Sequence, residues 1–140
     1  MLGYVNQIQA IYHHSSLKNH LKIIIVKIDI LKERKFDMKN GNRDQLIDSF
    51  CEFQSKLNPS TDSDPFHWDT AILLTGLNLY VNEDDVRDDK PLGLGSINGV
   101  CHSLSSCVIV EFCPDDIMTK PWPTSGLGST WIAAHELAHK

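Results

Sequence analysis

The chain's final stretch, Thr130-Trp131-Ile132-Ala133-Ala134-His135-Glu136-Leu137-Ala138-His139-Lys140, holds the side chains whose types and spacing best support chemistry. On a helix, His135 and His139 stand four residues apart, so both imidazoles leave one face about one turn from each other. Two neutral imidazoles at that spacing can hold one zinc ion. Glu136, beside them, is placed to act as general base on a water that the ion activates. Solvated polar residues on a surface helix are the competing reading, and the motif alone does not decide between them. Ala133, Ala134, Leu137 and Ala138 are good helix formers, and Ser129 or Thr130 is the expected N-cap.

The elements that must position this helix follow from apolar periodicity. Val5, Ile8, Ile11 and Tyr12 predict a helix over Tyr4–His14. His13, His14 and His20 lack ligand spacing and read as a helix end and polar loop. The dense β-branched run Leu21–Leu31 predicts a strand partly buried on both faces. Asn40-Gly41-Asn42 is a turn and cap signal. Leu46, Phe50, Phe53 and Leu57 then predict an amphipathic helix over Asp44–Leu57. Trp68–Thr75 and Ser105–Phe112 read as strands. Leu77–Pro91, carrying Glu83, Asp84, Asp85, Asp88 and Asp89, reads as a solvated loop. Leu92–Val100 is glycine-rich but misses the dinucleotide-binding pattern, and reads as an irregular edge strand. Cys113–Gly128 is a long loop leading into the last helix. This alternation implies one mixed α/β (α+β) domain over residues 1–140, its sheet flanked by helices.

Composition narrows the function classes. The chain has 140 residues, 41% of them hydrophobic and 22% charged, and a formal net charge of -5. That balance suits one globular domain and argues against nucleic acid as a partner, since no basic patch stands out. No membrane span is expected, because Lys22, Lys27 and Asp29 interrupt the longest apolar run. The N-terminus lacks a basic region followed by a long apolar core, so no signal peptide is expected in this chain. Cys51, Cys101, Cys107 and Cys113 allow three pairings if all are bridged, and none forms Cys-x-x-Cys.

Several blocks add a resemblance: Asp48-Ser49-Phe50-Cys51, then His67-Trp68-Asp69-Thr70-Ala71-Ile72-Leu73-Leu74-Thr75-Gly76, Gly99-Val100-Cys101, Ser105-Ser106-Cys107-Val108-Ile109-Val110-Glu111-Phe112 and Ala134-His135-Glu136-Leu137-Ala138-His139. In this order, over nearly the whole chain, they resemble the catalytic domain of ADAMTS and other reprolysin-type (adamalysin-like) metalloproteases of the metzincin group, with insect and tick members nearest. The resemblance implies a metzincin-like, mostly parallel mixed sheet with an antiparallel edge strand, ending on the active-site helix. It implies that His135 and His139 ligate zinc and that Glu136 is the general base of a metalloendopeptidase. Leu92–Val100, and in it Leu94, Gly95, Ser96 and Ile97, would pair with an extended polypeptide substrate, an extracellular or matrix protein. Asp62 and Asp69 match positions that bind structural calcium, an ion that carboxylate oxygens suit; ordinary loop aspartates are their other reading. Cys51 would pair with Cys107, and Cys101 with a cysteine outside the chain, Cys101–Cys113 being an alternative.

The sequence also departs from that pattern. The family motif continues through a glycine turn to a third histidine and a methionine turn, whereas Lys140 follows His139 directly. The family's first strand, between those matching Leu21–Leu31 and Trp68–Thr75, has no match either. The resemblance therefore implies an incomplete domain, truncated at both ends, with a zinc helix left to fray and little or no peptidase activity. An extracellular location is implied by the resemblance and the matched cysteines. The alternative function is a catalytically dead module that binds peptide or protein partners through its edge strand.

Overall fold

The computed structural model describes residues 1–112 and 126–140. Helix α1 spans Leu2–Tyr12, α2 Arg43–Ser55 and α3 Thr130–Ala138; strands are β1 Ala71–Thr75, β2 Val81–Glu83, β3 Val86–Asp88, β4 Gly93–Gly95 and β5 Cys107–Glu111. In the three-stranded sheet of order β1-β5-β4, β5 runs parallel to β1 and antiparallel to β4. The antiparallel edge strand is thus present, while the expected mostly parallel sheet is, among the described residues, one parallel and one antiparallel pair.

Strand β5 is buried at every position. Because side chains alternate across a strand, its residues divide between two layers. Cys107 and Ile109 join Leu46, Ile47, Phe50 and Cys51 of α2, together with Leu73 of β1. Val110 instead joins Tyr4 and Ile8 of α1 with Ala133 and Ala134 of α3. One face of the sheet therefore carries α2, and the other carries α1 and α3.

Local chemistry explains the helix ends and the tethers between layers. The Asn42 side chain accepts from the Gln45 amide at 3.1 Å and caps α2, as its sequence signal predicts. Ser129 and Thr130 do not cap α3. Their hydroxyls donate to Gly126 and Leu127 carbonyls in the preceding 3-10 turn, at 3.1 and 2.6 Å. Tyr4 Oη donates to the Ser129 carbonyl at 3.1 Å, and Tyr12 Oη to the Ala134 carbonyl at 2.7 Å, so α1 holds α3 at its N-terminus and its middle. Buried Gln54 is satisfied by the Trp68 indole N–H, at 2.8 Å, and by the Ser103 carbonyl, at 2.9 Å.

Two segments differ from expectation. Leu21–Leu31 forms no strand, and Ile24 and Ile30 are 69% and 83% exposed. Among the described residues its apolar density has no backbone ladder to join: there β1 pairs with β5 alone, and Gln9 holds Leu21 and Ile23 through its side chain. Conversely, the acidic stretch Leu77–Pro91 contains the antiparallel β2–β3 hairpin. Its turn residues Asp84 and Asp85 both have positive φ, 48° and 63°, the requirement of a type I′ two-residue turn. That Asp-Asp pair between short β-compatible triplets was the available signal.

A disulfide joins Cys51 of α2 to Cys107 of β5, with Cα atoms 5.6 Å apart and 56 residues of sequence separation. Closing a loop of that length removes denatured-chain entropy worth roughly 4 kcal/mol. Cys101 is exposed and free among the described residues; Cys113 lies outside them. We predict that Cys51→Ala/Cys107→Ala, or reduction of the wild-type chain, lowers unfolding free energy by about 2–5 kcal/mol in urea melts, whereas Cys101→Ser leaves the midpoint unchanged.

Candidate metal centre

Helix α3 sorts its residues by the helical period. Ala133 and Ala134 are small enough to seat the helix on the sheet, and both are buried. His135 is exposed and His139 half-buried, and both point away from that contact. Their Nε2 atoms lie 3.3 Å apart, with the rings nearly perpendicular at 88°. A tetrahedral ion about 2.0–2.1 Å from each nitrogen needs the pair about 3.3–3.4 Å apart. The two imidazoles thus fit a shared zinc ion, with whatever other ligands complete its shell.

Glu136 stands about 100° around the helix from His135 and about 60° from His139, on the side toward β4, and is buried at 7% exposure. Burial pushes its carboxyl pKa up; positive charge on His135 and His139, a hydrogen bond from the Gly95 backbone and the Arg43 charge each oppose the rise. The Gly95 contact follows from strand geometry. The Glu111 amide donates to the Leu92 carbonyl at 2.8 Å, so Leu92 and, two residues on, Leu94 turn their backbone groups toward β5. Gly93 and Gly95 turn theirs to the outer edge, with which no described strand pairs.

The last turn of α3 is stitched to the chain that follows β4. Asn98, at φ 56°, donates its amide to the His139 carbonyl at 2.7 Å. Lys140 Nζ donates to the Ser105 carbonyl and, at 3.3 Å, to that of Ser96. Burial lowers the Lys140 pKa, with Glu136 opposing. The carbonyl expected to be left over at a fraying helix end has a partner. Sequence reasoning missed Asn98 and Lys140 as supports for His139; the Asn98-Gly99 pair, a left-handed turn signal, was the available clue.

Other candidate residues are dispersed. Leu94 packs toward the α2 layer, Gly95 lies on the edge facing Glu136, the Ser96 carbonyl is taken by Lys140, and Ile97 is 75% exposed. Asp62 and Asp69 are both exposed in the loop before β1, and Asp62 faces His67 Nε2 at 3.5 Å. Among the described residues no group of three or more His, Cys, Asp or Glu side chains gathers around a common point, so the calcium reading gains no ligand cluster there.

No family model matches the chain. It is 36% identical over 129 residues to a disintegrin and metalloproteinase with thrombospondin motifs 4 of Rattus norvegicus, covering 91% of this chain and 18% of the relative. To motifs 15 of Homo sapiens it is 34% identical over 130 residues, covering 92% and 12%. To motifs 7 of Homo sapiens it is 32% identical over 140 residues, covering 99% and 8%. The chain's homologues are thus ADAMTS proteins, and it spans between a twelfth and a fifth of their length.

The paired nitrogens predict stoichiometric zinc binding, measurable by competition against a chromophoric chelator. His135→Ala and His139→Ala should each weaken it beyond the roughly 10- to 100-fold typical of losing an outer-shell partner, while Glu136→Gln leaves it nearly unchanged.

Proposed function

We propose that this chain is part of the catalytic domain of an ADAMTS-type zinc metalloendopeptidase. The observation that carries the reading is the 3.3 Å approach of the His135 and His139 Nε2 atoms on the helix that also bears Glu136. Bound there, zinc supplies Lewis acidity toward a carbonyl oxygen and makes water a better nucleophile near neutral pH. Glu136, the carboxylate beside the pair, would take the water's proton and deliver it to the leaving amine. Among the described residues no strand pairs with the outer edge of β4. Leu94, Gly95, Ser96 and Ile97 are the proposed substrate-binding stretch, which would take extended polypeptide by strand addition once Lys140 releases the Ser96 carbonyl and Glu136 the Gly95 amide. Extracellular or matrix proteins are the proposed substrates, an extracellular location accords with the Cys51–Cys107 bridge, and calcium at Asp62 and Asp69 stays part of the proposal.

Hydrolytic zinc sites use three protein ligands and one open position. Helix α3 contributes two, so the 140 residues by themselves are expected to bind zinc yet turn over peptide slowly or not at all. The same edge position of β4 supports the second reading, a catalytically inert module that engages peptides by strand addition.

A zinc titration combined with a quenched-peptide assay tests both readings. Zinc binding with little turnover agrees with the proposal for this stretch of chain. Chelator-sensitive turnover comparable to that of a full ADAMTS catalytic domain would sink the expectation of inactivity. Peptide binding that persists in His135→Ala/His139→Ala without zinc would favour the binding module.

A further inference from the structure

The edge strand and Glu136 meet at one point that the function above does not use. Gly93 and Gly95 share the face of β4 covered by α3, while Leu94 faces α2. A Cβ at Gly93 would stand 2.8 Å from Glu136 Cγ and 2.9 Å from its Oε1, with the Ile109 carbonyl also at 2.9 Å. Such approaches are well inside carbon–carbon contact distance. The φ of Gly93 is outside the left-handed region that favours glycine, so space, and not backbone conformation, calls for glycine there.

We propose that Gly93 is a positioning residue for Glu136: its missing side chain is the volume along which the Glu136 side chain lies, so that the Gly95 amide can hold the carboxylate. Glu136 sits between two supports of different kind. The Gly93 surface limits where Cγ and Oε1 can go, and the Gly95 backbone amide, two residues along the same edge and packed against the Glu136 backbone, is near enough to favour the charged carboxylate. Any side chain at Gly93 moves the carboxylate off that amide. In an enzyme whose general base must reach one water, displacement of that size costs rate more than affinity. The catalytic consequence rests on the metallopeptidase reading; the packing relation does not.

The test is a stability cycle in the 140-residue chain, read as thermal midpoints of wild type, Gly93→Ala, Glu136→Ala and the double variant. The expected result is a drop in Tm for Gly93→Ala of several degrees, at least half of which disappears when Glu136 is already alanine. An equal drop in both backgrounds would assign the clash to the Ile109 carbonyl and overturn the proposal.

A second measurement reads positioning directly. In the 15N-labelled chain, Glu136→Gln should shift the Gly95 amide resonance, and Gly93→Ala should abolish that response while zinc affinity at His135 and His139 stays within twofold. A Gly95 resonance indifferent to Glu136, or an unchanged response in Gly93→Ala, would overturn the proposal. Should Gly93→Ala not fold, recovery of a folded double variant supports the proposal as the cycle would, and failure of that recovery counts against it. Loss of the metallopeptidase reading would instead appear as absent zinc binding in the wild type, with both measurements still readable.

Discussion

Burial of β5 on both faces is the constraint on which the rest of the structure depends. A strand in that position needs backbone partners on both edges and apolar cover on both sides. Strands β1 and β4 supply the first, and α2 with the α1–α3 pair supplies the second. Even its buried acidic residue conforms, for Glu111 accepts from the Leu79 amide at 2.9 Å and so fixes the chain on its way to the β2–β3 hairpin. The disulfide pins one side of β5 to α2. The other side seats α3, and with it the two histidines.

Helix α3 resolves two opposed demands by rotation about its axis. Two imidazoles that shared a metal would need an accessible face, and theirs is partly exposed, whereas Glu136 is sheltered and burial raises its carboxyl pKa. Spacing of four residues aligns His135 with His139, and Glu136 stands about 100° around the helix from His135 and about 60° from His139, on the side toward β4. Burying a carboxylate is costly unless it is partnered. Here the edge strand partners it with an amide and leaves it room with a glycine. Tyr12 and Asn98, donating to the Ala134 and His139 carbonyls, brace the helix on either side of the histidine pair. Together these supports set where the two histidines stand.

Much of this was legible in residue order, and the places where it was not share a cause. The helices around Leu46–Phe50 and Ala133–His139 and the strand at Cys107–Glu111 carry strong local periodicity, and local hydrogen bonding or complete burial suffices to form them. Leu21–Leu31 carries an equally strong apolar signal but forms no strand, because a strand exists only with a neighbour's backbone beside it. Asp84-Asp85 carried a turn signal that the surrounding charge obscured. Ser129 and Thr130 had suitable hydroxyls for a cap, but the preceding 3-10 turn offered closer carbonyls.

For the candidate site, the sequence by itself determined the two imidazoles, their one-turn spacing and the neighbouring carboxylate, since these follow from covalent order and the helical period. The 3.3 Å separation of the two Nε2 atoms depends on side-chain rotamers, which residue order does not specify. The burial of Glu136, the amide it meets at Gly95 and the space it takes above Gly93 are contacts across some forty residues of chain, and the stacking of α3 against the edge of the sheet decided them. That contact is tertiary because it joins residues whose separation in sequence carries no period.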